Sequence, residues 1–160
     1  MSGLRHRVVP HPLYLCRELI RSSVRFDSQQ KALIAASAAR EKHAEGLVIM
    51  DVRELSGVTD FFVIATADSR PQLKAMRDAI EDALLQCGQR LEHVEGFPQA
   101  PRAHGARGQR RVARETAAYN DGLAWVLLDC GSVVVHLFDP PAREFYQLEH
   151  LWGDAPRIPL

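Results

Sequence analysis

No apolar run in this 160-residue chain approaches the roughly 20 residues that a membrane-spanning helix needs. No two acidic residues stand two positions apart anywhere in it. Metal-dependent nucleotidyl transfer requires carboxylates converging on paired Mg²⁺ ions, usually delivered by such a pair on one strand, so that chemistry lacks its acids. Ala67, Asp68 and Ser69 stand where the Gly-Ser turn of such a site would be, and a P-loop and a GxGxxG are missing too, which removes the usual phosphate cradles. The three cysteines, Cys16, Cys87 and Cys130, are scattered and form no CxxC. They indicate neither a disulfide framework nor a zinc site, and they suit a reducing cytoplasm. No catalytic residue, metal or cofactor is expected.

What is present is the composition of one globular domain: 46% hydrophobic and 25% charged residues. The formal net charge of zero hides a segregation. Arg5, Arg7, Arg17, Arg21 and Arg25 crowd the start against the single acid Glu18, and Arg102, Arg107, Arg110, Arg111 and Arg114 crowd a later stretch. The rest carries 10 basic and 19 acidic residues, about −9 by formal count. A polyanion-binding enzyme more often has a basic body.

In order along the chain, residues 1–27 form an Arg-rich extension without sustained period, expected to be flexible. Its acid-poor character resembles an organelle transit peptide, the alternative to a cytoplasmic protein. Residues 28–44 are rich in helix-forming Ala, Lys and Gln, though only Leu33 and Ile34 are large, and Gly46 is expected to stop that helix. Residues 47–52 and 60–67 read as buried strands. Ser69, with Gln72 three positions on, opens an amphipathic helix through Leu73, Met76, Ile80, Leu84 and Cys87, closed by Gly88. A short strand over residues 90–95 precedes a long basic loop at 97–122. Asp139 is placed to cap a last helix on which Phe145, Leu148 and Trp152 would pack one face against the sheet. Residues 153–160 read as an irregular tail. The domain over residues 28–152 is thus expected to be α/β: a single domain with a mixed five-stranded sheet flanked by helices.

The most informative stretch is 123–138, LAWVLLDCGSVVVHLF, two β-branched-rich runs around a turn. With a Cys130-Gly131 loop, Asp129 would pair with Ser132 and Trp125 would face His136. Alternation puts Ala124, Val126, Leu128, Val133, Val135 and Leu137 on one wholly aliphatic face. Trp125, Leu127, Asp129, Ser132, Val134, His136 and Phe138 share the other, a mixed face expected to be partly uncovered and to carry the function.

Several blocks stand in order: Val52-Arg53-Glu54, Thr59-Asp60-Phe61-Phe62-Val63-Ile64, Ser69-Arg70, His93-Val94-Glu95-Gly96, and Trp125 to Gly131. Val133 to Phe138 and the long block Arg143 to Trp152 follow. Together they resemble the ribosomal silencing factors, also called the Iojap family. The resemblance spans about residues 30–152. It implies a nucleotidyltransferase-like core without catalytic acids. It also implies binding to the large ribosomal subunit at its subunit-joining face, through the large-subunit protein L-fourteen, which blocks the small subunit and represses translation. The chain departs from the pattern in its N-terminal extension and in the length of the 97–122 link.

The candidate partner-binding residues are Trp125, Leu127, Asp129, Val134 and His136, with Asp60, Ser69, Arg70, Arg143 and Tyr146. Each has a plainer role to set beside it. Asp60 can cap the turn after Gly57, His136 can be a hydrogen-bonded sheet histidine, Arg143 can decorate a helix face, and Tyr146 and Trp152 can be core. Trp125 has the amphipathic character of an interface anchor. Arg107, Arg110 and Arg111 are candidates for a secondary rRNA contact, though no aromatics interleave for base stacking. The alternatives are a nucleotidyltransferase-like enzyme or an RNA-binding ribosome-assembly factor. A monomer or weak homodimer, without membrane association, is expected.

Overall fold

The computed structural model describes residues 27–96 and 123–160. The N-terminal extension and the 97–122 loop, with Arg107, Arg110 and Arg111, lie outside the described residues. Four helices and six strands lie among the described residues. Helix α1 spans Ser28–Glu41, β1 Glu45–Asp51, β2 Phe61–Thr66, α2 Arg70–Gln86, β3 His93–Glu95, β4 Trp125–Asp129 and β5 Val133–Phe138. Helices α3 (Pro140–Tyr146) and α4 (Leu148–Leu151) and strand β6 (Arg157–Ile158) complete the chain. The strands form one sheet in the order β3-β4-β5-β2-β1-β6. Among the described residues, only β2 and β5 run parallel; the other neighbours are antiparallel.

Strand β2 explains the layering. Its sequence, FFVIAT, has no polar face, and all six residues are buried. Phe61, Val63 and Ala65 join a large core with α1 and α2, while Phe62 and Ile64 join a smaller one beneath α3 and α4. The alanines of α1 substitute for a large apolar stripe. Ala32, Ala35, Ala36, Ala38 and Ala39 are all essentially inaccessible, so the helix lies close against its neighbours. Helix α2 starts as its capping residues suggest: Ser69 Oγ accepts from the Gln72 amide at 3.3 Å. The Gln72 side chain does not reach back to the Ser69 amide but ties other segments together. Its Oε1 accepts from the Asp68 amide, and its Nε2 donates to the Lys42 and His43 carbonyls at the end of α1.

Four expectations are corrected. Helix α1 ends at Glu41, and Gly46 lies within β1 at φ +52°, where the pairing with β2 is irregular. Among the described residues the sheet has six strands rather than five, because the tail pairs: Ile158 and Arg157 lie against Ile49 and Met50. Pro156 and Pro159 had hidden a two-residue edge strand, a position where proline is tolerated. The last helix is broken at Gln147, which adopts the left-handed conformation (φ 45°, ψ 46°), so Phe145 points outward while Leu148 and Trp152 pack inward. Cys87, at the C-cap of α2, is disulfide-bonded, contrary to the reading of unpaired cysteines; Cys130 is free and buried.

Asp139 holds the end of the hairpin to the start of α3. Its Oδ1 accepts from the Ala142 amide and its Oδ2 from the Ala124 amide, both at 2.8 Å. Asp139→Ala therefore removes a helix cap, about 1 kcal/mol, and strands a second amide at about the same cost. A lower urea midpoint with an unchanged slope is the expected result, with Asp139→Asn intermediate. Equal midpoints for the Ala variant and the parent would show that this junction carries no stability.

Candidate partner-binding site

The central hairpin forms with a register different from the expected one. Trp125 pairs with Phe138, Leu127 with His136 and Asp129 with Val134. The Cys130 amide donates to the Val133 carbonyl at 2.9 Å, so the turn is Gly131-Ser132 rather than Cys130-Gly131. Glycine fits the first turn position because φ there is +76°. Each partner moves by two positions, and side chains alternate with period two, so no residue changes face. Ala124, Val126, Leu128, Val133, Val135 and Leu137 are all in the large core.

The mixed face is an aromatic cluster that emerges towards solvent. Trp125 stacks on Phe138 (ring centroids 5.3 Å) and meets Tyr146 at 4.6 Å, while its indole Nε1–H donates to His136 Nδ1 at 3.3 Å. His136 meets Phe62 edge-on at 5.0 Å, and Phe62 meets Trp152 at 5.2 Å. Trp125, Leu127 and Val134 are half-buried, Tyr146 is exposed, and Phe145 reaches Tyr146 from the outside at 5.1 Å. Phe145 is 69% exposed and Leu151 on α4 is 73% exposed. Neither was singled out as a surface residue from the sequence, because their outward direction depends on the break at Gln147.

Eight of the ten sequence candidates fall into two groups. Trp125, Tyr146, Arg143, Ser69 and Arg70 gather where β2 and β5 end: the Ala67 amide bonds the Phe138 carbonyl, and Arg143 Nη1 donates to Thr66 Oγ1 at 2.7 Å. Asp60, Asp129 and Val134 belong to the other end of those strands, where the Asp60 amide bonds the Ser132 carbonyl. Six residues of strand separate the ends by about 20 Å. Leu127 and its cross-strand partner His136 sit between them.

Several candidates have work inside the fold. Asp129 Oδ1 accepts from the Gly131 amide at 2.8 Å, bracing the turn, and Ser69 caps α2. The Arg143 side chain is largely buried. Its Nε and Nη2 hold both carboxylate oxygens of Glu149, and Nη1 reaches Thr66 and the Glu45 carbonyl. A Cβ at Gly46 would run into that guanidinium, which accounts for glycine in the irregular stretch of β1. His136 is 5% exposed, so it offers a partner no surface and instead supports the Trp125 indole. That corrects its place among the contact residues: the face it shares is covered at His136 by Phe62, Trp125 and Phe138. Burial lifts the Cys130 thiol to a pKa of about 12, so it is no nucleophile at neutral pH.

His136 is neutral by the same burial. An indole N–H only donates, so Nδ1 carries no proton and Nε2 does, without a partner among the described residues. Desolvation holds its pKa at about 4, below the ordinary 6.5. The unfolded chain therefore binds this proton at higher pH than the folded one, and stability falls as pH drops from about 6.5 to 4. The loss approaches roughly 3 kcal/mol. His136→Phe should flatten that part of the pH–stability curve while other groups titrate unchanged. Parallel curves for parent and variant in urea unfolding would place the histidine's proton elsewhere.

The family described as "RsfS: Ribosomal silencing factor during starvation" matches residues 25–160. A curated relative from Bacillus subtilis, "Ribosomal silencing factor RsfS", is 35% identical over 127 residues, covering 79% of this chain and 88% of the relative. "Protein Iojap, chloroplastic" of Arabidopsis thaliana is 35% identical over 129 residues, which is 81% of this chain and 44% of that longer protein. A crystal structure of a Chromobacterium violaceum protein superposes with TM-score 0.62 at 25% identity, covering 80% of this chain and 88% of the other. One from Bacillus halodurans gives TM-score 0.56 at 29% identity, with 79% and 93% covered. With the match reaching from before α1 to the end of β6, the chain belongs to the ribosomal silencing factor family.

Proposed function

We propose that this protein binds the large ribosomal subunit at its subunit-joining face, through the protein L-fourteen, and keeps the small subunit from docking. Translation is thereby repressed without any chemical step. Family membership supports the ribosomal role. The observation that carries the docking surface is the aromatic run from the buried Phe138 through Trp125 and Tyr146 to the exposed Phe145, with Leu151 exposed on the adjoining helix. A half-buried Trp fixed by a stack and a hydrogen bond is pre-organised, so little side-chain entropy is lost when a partner covers it. Leu127 and Val134 extend the same face along the hairpin, and the acidic body suits a basic ribosomal protein. The site of action is the compartment that holds the ribosomes, the cytoplasm for the bacterial relatives' setting.

Trp125 is held by Phe138, Tyr146 and His136, so its replacement by Glu would cost folding stability as well as binding. Phe145 and Leu151 separate the two effects. Phe145→Ser and Leu151→Ser should each shift the melting temperature by no more than a few degrees. Together they should weaken co-sedimentation with isolated large subunits at least tenfold and restore subunit joining in a translation assay. Undiminished binding by the folded double variant would sink this surface as the docking site.

Nucleotidyl transfer is not part of this reading. Incubation with each nucleoside triphosphate, Mg²⁺ or Mn²⁺ and an RNA or protein acceptor is expected to transfer no label. Transfer that disappears in Asp129→Ala would replace a binding factor with an enzyme.

A further inference from the structure

Arg143, Gln147, Glu149, His150 and Arg157 line an open cleft of about 390 Å³ where the α3–α4 break meets the edge strand β6. Its charges are unbalanced. Glu149 is the sole acid in the lining, and both its oxygens are engaged by Arg143, which leaves that pair neutral. The side chains of Arg157, His150 and Gln147 make no hydrogen bond or ion pair among the described residues. Among the described residues, one guanidinium, one imidazole and one amide without partners therefore face the same space, and no acid of the lining is left to answer them. This stands out on a body with about nine more acidic than basic residues outside its two Arg-rich stretches.

The cleft is also held in shape. Arg143 ties α3 to Thr66 on β2 and to the Glu45 carbonyl on β1, while Glu149 ties α4 to α3. Arg157 stands on a strand that is itself paired to Met50. Donors fixed on paired elements, beside a neutralised ion pair, suit a tetrahedral anion whose several oxygens accept from different directions. The opening to solvent suits an anion on a polymer better than an enclosed small ligand.

We infer that this cleft seats a phosphate of the RNA backbone, as a second contact beside the aromatic docking face. The inference rests on the ribosome-docking reading for its setting. A ribosomal surface presents both basic protein and phosphate, and the acidic body and the cationic cleft match one each.

The test uses the full chain, with the Arg157 side-chain Nε–H and the His150 ring followed by NMR. A short RNA duplex should shift both signals, inorganic pyrophosphate should shift them more weakly, and a polyglutamate peptide should leave them in place. Arg157→Glu should abolish the RNA-induced shift at His150, and Arg157→Lys should retain most of it. On large subunits, Arg157→Glu should weaken binding several-fold at low salt and lower the salt slope of log K by about one. No RNA-induced shift, or a larger shift with polyglutamate than with RNA, overturns the inference, the latter in favour of a protein carboxylate. An unchanged salt slope in Arg157→Glu, with binding still lost in the Phe145 and Leu151 variants, removes the phosphate contact and leaves the docking face standing. RNA shifts that persist while those two variants bind subunits normally do the reverse.

Discussion

The constraint on which this structure depends is that β2 is apolar on both faces. A strand reading FFVIAT cannot lie at the edge of a sheet or present one side to water. It therefore sits between β5 and β1, and each of its faces requires its own cover. Alanine-rich α1 and the amphipathic α2 supply one cover completely. The other comes from two short helices and a tail, which bury Met50, Val52, Phe62, Ile64 and Phe138 but leave the flanking Trp125, Leu127 and Val134 half-exposed. The candidate site is this incompletely covered layer.

The incomplete layer is nonetheless rigid, because polar groups hold its edges. Asp139 joins the start of β4 to α3, Arg143 joins α3 and α4 to β1 and β2, and His136 joins β5 to Trp125 across the hairpin. Each works through a buried or half-buried polar atom, where an unmade hydrogen bond is costly. His136 goes furthest: it gives up its charge to remain beneath the indole, and its Nε2 has no partner among the described residues. Aromatic contacts then pass from Phe62 and Phe138 through Trp125 to Tyr146 and Phe145. A surface built in this way changes little when a partner covers it.

The same Arg143–Glu149 pair places two surfaces of opposite chemistry on one helix pair. Outward from the break at Gln147 stand Phe145 and Leu151; towards β6 stand His150 and, across the cleft, Arg157. Apolar and cationic groups are thereby kept apart, so neither surface blunts the other.

The sequence by itself determined the elements whose cause is local. Ser69 and Asp139 cap their helices where their side chains can reach nearby amides, and alternation assigned both faces of the hairpin. That assignment survived a two-position change in pairing, since parity is indifferent to such a shift, whereas the turn itself was misplaced by one residue. The blocks of family resemblance were legible in the same way, residue by residue. Tertiary structure alone decided the rest. Two residues between prolines carry no period, so only the free edge of β1 could recruit β6. The left-handed conformation of Gln147 breaks the helix although its amide still bonds the Arg143 carbonyl; Leu148 and Trp152 pack inward beyond the break, and Phe145 before it is left outward. Arg143 is a polar residue whose partner Thr66 lies 77 positions away, and no spacing rule announces a bond over such a distance.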